Sequence, residues 1–135
     1  MQKIDKLKFI PGIAWFFVVL FLMCIPGSAL PHVDDWLHRI YFDKWIHVGV
    51  FGLLTVLLCW PFNKSSIGLK NRIKYFLLIA MAVSLYGYCT ELIQKYWVPG
   101  RSYDLLDWAA DSVGALIGLL YSRKKFTKTR ASGIK

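Results

Sequence analysis

The segment ELIQKYWVPGRSYDLLDWAADSVG, residues 91–114, sets Glu91, Arg101, Asp104, Asp107 and Asp111 at or inside two strongly apolar runs. Pro99-Gly100 breaks the first run, and the second begins at Asp104. A charge left facing lipid costs about 2.5–3.5 kcal/mol at a bilayer centre, and less near the interface. Either the runs do not cross a membrane, or the charges point into protein.

The remainder of the chain favours the second alternative. Its 135 residues are 56% hydrophobic and 16% aromatic, with a mean hydropathy of +0.45. A soluble domain of this length has too little interior to hide that much apolar surface. Four apolar runs, over about residues 9–25, 43–60, 73–97 and 104–121, approach the ~20 residues needed to cross a bilayer. None shows the strict alternation of a barrel strand. The expected fold class is therefore an all-α integral membrane protein, a four-transmembrane-helix bundle in a single domain over residues 1–135, with a basic tail at 122–135. The first run also has features of a signal-peptide core, with Lys3, Lys6 and Lys8 before it and Gly27-Ser28-Ala29 after it. Its length, and the lack of an A-x-A site, favour a retained helix. Cys24, Cys59 and Cys89 lie in apolar runs without metal or disulfide spacing, so they are expected to act as small apolar fillers.

The net charge of +9 is sorted by position. Thirteen of the 17 basic residues precede the first run, lie between the second and third, or follow the fourth. The positive-inside rule then places both termini in the cytoplasm. Seven of the eight acids, all but Asp5, fall at the opposite ends. Topology and anionic lipid explain the basic excess, so membrane lipids are expected partners and nucleic acid is not. Trp36, Trp45, Trp97 and Trp108 are expected to form the outer aromatic belt, and His32, Asp34, Asp35 and His38 a solvated loop.

The polar residues inside the runs share faces. Asp104, Asp107, Asp111, Gly114 and Gly118 recur in steps of three and four, making one stripe that is acidic outside and small inside. Gly114-x-x-x-Gly118 permits close helix contact, most simply within one subunit. Ser84, Gly87, Glu91 and Gln94 form a second stripe, and Asp43 and His47 share a third face. At ~1.5 Å per residue, His47, Glu91 and Asp111 lie about 6 to 10 Å below the outer helix ends. Gathering them around one outward-opening polar cavity avoids the lipid penalty and makes them functional candidates. Plainer roles exist for several: helix capping for Asp43 and Asp104, an interfacial anchor for Arg101, a satisfied buried imidazole for His47, a structural ion cluster for the rest.

DKWIH opening the second run, ELIQ closing the third and GRSYDLLDWAADSVGALIG leading into the fourth resemble the VanZ-like family, linked to resistance against the glycopeptide teicoplanin. The resemblance covers about residues 43–118 and falls on Asp43, Lys44 and His47, on Glu91 and Gln94, and on Gly100, Arg101, Asp107 and Asp111. Asp111 stands where that family usually has Asn. The resemblance implies a bacterial cytoplasmic-membrane protein tied to the cell wall or to glycopeptide tolerance, with no defined reaction.

Three classes of function fit these residues. In a binding protein, Asp43, Lys44, Gln94, Arg101, Asp104 and Asp111 hold a lipid-linked wall precursor or a glycopeptide-type ligand. In an intramembrane hydrolase or transferase, His47, Glu91 and Asp107 carry the acid–base work, or the carboxylates hold a divalent cation. In a transport or assembly subunit, four helices require a homo-oligomer. No G-x-S-x-G or histidine–zinc signature is present.

Overall fold

The computed structural model describes residues 3–32, 34–39 and 41–128. Five helices follow in chain order: α1 (Ile10–Met23), α2 (Asp35–Arg39), α3 (Phe42–Cys59), α4 (Leu69–Trp97) and α5 (Leu105–Phe126), with short 3-10 turns at Lys6–Phe9, Gly27–Ala29 and Trp60–Phe62. No strand occurs among the described residues. Lys6–Met23, Phe42–Phe62 and Leu69–Trp97 are each long and apolar enough to cross a membrane. The fourth long helix, α5, expected as a fourth span, is not among these three; it carries Asp107 and Asp111 within its length.

Four contacts fix the up-and-down order. Phe9 meets Phe62 edge to face, joining the start of α1 to the end of α3. The Gly27 amide donates to the Pro99 carbonyl at 3.0 Å, joining the segments after α1 and α4. Lys44 reaches Asp104 and Asp107 across the starts of α3 and α5. Arg72 donates to the Phe126 carbonyl at 2.8 Å, joining the start of α4 to the end of α5. The bundle thus has an acidic end and a basic end, as the charge pattern required. Gly100 lies at φ +72°, a left-handed conformation that favours glycine, and packs on the Gly27 backbone.

Two helix limits differ from the hydropathy pattern. α4 begins at Leu69 rather than near 73, and α5 continues to Phe126 rather than stopping near 121. In both places the charges begin before the helix ends, because Lys and Arg are good helix formers and extend beyond the apolar zone. Part of the expected tail is therefore helical; residues 129–135 lie outside the described residues. Arg72, counted among the loop charges, is buried, and its guanidinium also donates to the Ser65 and Ile67 carbonyls at 2.8 and 3.1 Å. It closes the C-terminus of α5, where a cation is favoured by the helix dipole and by free carbonyls.

The core is built against α5. Val19, Met23, Phe51, Leu54, Val83 and Ala115 form one buried cluster. Cys59, Phe62, Phe76, Ala80, Leu119 and Phe126 form another toward the basic end. Ile13, Phe17 and Phe21 on α1, Leu77, Met81 and Leu85 on α4, and Leu116, Ile117 and Leu120 on α5 instead face outward. A bundle with an apolar exterior and charges inside inverts the soluble pattern.

Glycine sets the spacing of α3 and α5. A Cβ on Gly114 would collide with the Val48 carbonyl and stand 3.0 Å from the Gly52 nitrogen. One on Gly118 would lie 2.6 Å from the Gly52 carbonyl oxygen. Gly49, by contrast, has nothing within 4 Å of its virtual Cβ. Gly114→Ala is expected to lower stability by about 1–3 kcal/mol through overpacking. Gly49→Ala is expected to be neutral, or stabilising by up to about 1 kcal/mol through helix propensity. Reversible unfolding of the two variants in one detergent tests the pair, and equal midpoints would refute the spacing role of Gly114.

Candidate functional site

At the acidic end, α3, α4 and α5 converge on one connected set of ionisable groups. Tyr41, in a left-handed conformation at φ 53°, turns the chain into α3 and sets Asp43 and Lys44 in its first turn, with His47 one turn deeper. Asp104 caps α5, its carboxylate accepting from the Leu106 amide at 2.8 Å, and thereby fixes the start of the Asp107 and Asp111 ladder. Close approach at Gly52 and Gly114 lets the short aspartates of α5 reach side chains of α3.

The upper layer is organised by Lys44. Its Nζ donates to Asp43 Oδ2 at 2.8 Å, Asp104 Oδ2 at 2.7 Å and Asp107 Oδ1 at 2.5 Å. The hydrogen bond and charge of Lys44 hold Asp104 below its usual pKa, with slight burial opposing. Asp107 links the layers, because its second oxygen lies 3.7 Å from His47 Nε2.

The lower layer is buried. His47 Nδ1 lies within hydrogen-bond distance of Asp111 Oδ1, at 2.7 Å. Glu91 Oε2 accepts from the Asp104 amide at 2.9 Å, so a carboxylate on α4 satisfies a free N–H at the N-terminus of α5. Side-chain exposure falls from 59% at Asp43 and 39% at Asp104 to 13% at Asp107, 6% at His47 and 0% at Asp111. Glu91 is also fully buried. Glu91 Oε1 and Asp111 Oδ2 have no hydrogen-bond partner among the described residues. Gly87 makes room for Asp111: a Cβ there would stand 2.7 Å from Asp111 Oδ2. Ligand atoms of His47, Glu91 and Asp111 all lie within 4.8 Å of one another, a spacing compatible with a metal ion.

The structure brings Asp43, Lys44, His47, Glu91, Asp104, Asp107 and Asp111 together. It sets Gln94 and Arg101 apart from that network. Gln94 is buried, but its amide donates to the Met23 carbonyl at 3.0 Å, tying α4 to the end of α1. Arg101 is partly buried in the 98–104 turn and makes no ion pair among the described residues. Lys44, expected to face a ligand anion, is instead committed to three carboxylates. The charged groups bond one another rather than lining open space. Two shallow clefts lie on apolar flanks, one of about 480 Å³ beside Tyr88 and Trp108 and one of about 430 Å³ beside Gly52 and Gly118. Of the expected aromatic belt, Trp36, Trp45 and Trp97 are exposed, whereas the Trp108 indole donates to the Ser84 carbonyl at 3.0 Å. His32, Asp34, Asp35 and His38 are exposed.

Comparison of the chain with protein-family models, with curated proteins and with solved structures gives no match.

Replacing Lys44 by Met removes the cation from three carboxylates. Lys44→Met is expected to lower the unfolding temperature at pH 7, because the remaining charges repel one another. The pH dependence has a definite sign. Asp104 has a depressed folded pKa, so its stabilisation is present above its ordinary value of 3.8 and is lost as pH falls through the folded value. Thermal unfolding of both proteins at pH 7 and about pH 3 should show the gap closing in acid. Equal stability at pH 7 would exclude a counter-ion role for Lys44.

Proposed function

We propose that the chain is a multi-pass bacterial cytoplasmic-membrane protein of VanZ-like type, with both termini cytoplasmic. Its polar centre, beneath the outer surface, binds the phosphate- or carboxylate-bearing head group of a lipid-linked wall precursor or a glycopeptide-type ligand. The observation that carries this reading is the inverted bundle. Its exterior is apolar on α1, α4 and α5, while ionisable groups converge inside one end with burial that deepens along the helices. Intramembrane ionisable groups that face the bundle interior mark ligand or ion pathways.

Arg101 supports the choice of an anionic head group. It belongs to the segment that joins α4 to α5, three residues before Asp104, and a guanidinium offers a planar two-pronged grip on phosphate or carboxylate. The surrounding carboxylates orient a ligand that also carries hydroxyls or an amine. A second reading, an intramembrane hydrolase or transferase, is favoured by the His47–Asp111 pair. A buried carboxylate orienting an imidazole is the usual support of a general base. Here Asp107, opposite His47 Nε2, would exchange protons with it.

Native mass spectrometry of the purified protein in mild detergent tests the binding reading. The wild type is expected to retain one phosphate-bearing lipid per chain, and Arg101→Ala to lose it while remaining folded. Equal retention by the two proteins, or an empty wild type, counts against a specific anionic ligand.

A further inference from the structure

We infer that His47, Glu91 and Asp111 form a binding site for a single divalent transition cation, of the zinc or manganese class. The inference deepens the function proposed above by naming a cation in the same centre, although its test uses no lipid or wall ligand.

Charge is the first argument. Asp43, Asp104, Asp107, Asp111 and Glu91 converge on one ammonium, Lys44, and one imidazole, His47. Even with His47 protonated, the carboxylates in their ionised form exceed the cations by three. Lys44 is spent on the upper, partly exposed acids. Among the described residues, the fully buried Asp111 pairs with His47 and the fully buried Glu91 makes no ion pair. Uncompensated buried charge is costly, and a bound cation is a direct remedy.

The unsatisfied atoms are the second argument, and it is independent of the first. Glu91 Oε1 and Asp111 Oδ2 are buried acceptors without a partner among the described residues. Buried polar atoms are nearly always satisfied, so each such exception calls for an explanation, an ion among them. Both belong to residues whose ligand atoms, with those of His47, already lie within 4.8 Å of one another on three different helices. Gly87 leaves the space that Asp111 occupies, so the carboxylate is set against α4 by design of the backbone rather than by a chance rotamer.

The donors also limit the cation. One imidazole nitrogen with carboxylate oxygens suits zinc or manganese better than the all-oxygen preference of calcium. A cation in place of the proton between His47 Nδ1 and Asp111 Oδ1, 2.7 Å apart, would take both atoms as ligands and leave Nε2 facing Asp107 at 3.7 Å. Asp107, on the nitrogen away from the cation, is then in the place of the carboxylate that commonly orients a metal-bound histidine. A cation held here would also let a carboxylate-rich centre accept a phosphate, which its own charge otherwise repels.

The test uses the full chain in detergent, stripped with a chelator and titrated with Zn²⁺ and, separately, with Mn²⁺. One equivalent per chain is expected, with affinity lowered about 100-fold or more in Glu91→Gln and in Asp111→Asn. Asp5→Asn, an exposed acid at the opposite end of the bundle, should bind as wild type. His47 has two other imidazoles to be distinguished from, at His32 and His38. In a His32→Gln/His38→Gln protein, pulsed electron paramagnetic resonance of bound Mn²⁺ should therefore show nitrogen coupling from His47 alone. That measurement decides the matter should the buried variants fail to fold. Failure of stripped wild type to bind one equivalent, undiminished binding in both buried variants, or Mn²⁺ without nitrogen coupling would each overturn the site. Lipid retention in the Arg101→Ala experiment is read separately and stands or falls without it.

Discussion

Asp111 has no exposed surface, one oxygen on His47, and the other against the backbone of α4. A carboxylate in that position restricts almost everything around it. α5 must be flanked by α3 to supply the imidazole and by α4 to supply a wall without a Cβ at Gly87. The approach must be close because an aspartate side chain is short. Gly114 and Gly118, one and two turns further along α5, provide that approach by allowing its backbone to touch α3 at Val48, Gly52 and Thr55. The polar centre and the apolar packing below it are therefore one constraint, expressed first in carboxylates and then in glycines along one helix face.

Lys44 gives the centre its two layers. Its ammonium gathers three acids at the partly exposed level and leaves the buried level to His47, Glu91 and Asp111. Such pairing is weak evidence for stability, since desolvation offsets much of the Coulomb gain, but losing the one cation leaves the acids uncompensated. Asp107 is the hinge between levels, touching Lys44 with one oxygen and facing His47 with the other. An exposed acid layer, a lysine and a buried imidazole–carboxylate pair thus form a continuous polar path from surface to interior.

The parts of this arrangement that were legible in the sequence are those governed by periodicity. Steps of three and four placed Asp104, Asp107, Asp111, Gly114 and Gly118 on one face, and the structure puts that face against α3 and α4. Hydropathy located the four long helices, and the lysine and arginine distribution gave their alternating order. Periodicity says nothing of which partner a side chain meets across helices. Gln94 shares the Glu91 stripe but turns to Met23, because the end of α1 lies one turn beyond the acids. Arg72 reads as one more loop charge, yet free carbonyls at Phe126, Ser65 and Ile67 draw it inside. Lys44 looks like an open anion site until its three neighbours are assembled from positions up to 63 residues away. The short α2 lacks an apolar period long enough to announce it.

The same chemistry has a consequence for the order of assembly. On the proposed membrane placement, α1, α3 and α4 are each apolar enough to enter a bilayer on composition, whereas α5 carries two acids that its own helix cannot neutralise. Inserted alone, each would cost about 2.5–3.5 kcal/mol near the bilayer centre and less toward the interface. Lys44 and His47 on α3 offset Asp107 and Asp111 only once that helix is already in place. Glu91 is in turn satisfied by the Asp104 amide only when α5 arrives. The last helix is thus the one whose insertion depends on the others and whose arrival completes them. The residues of the polar centre thus serve folding as well as any ligand, which is why the buried oxygens of Glu91 and Asp111 that accept no hydrogen bond among the described residues are the sharper pointer to what the site binds.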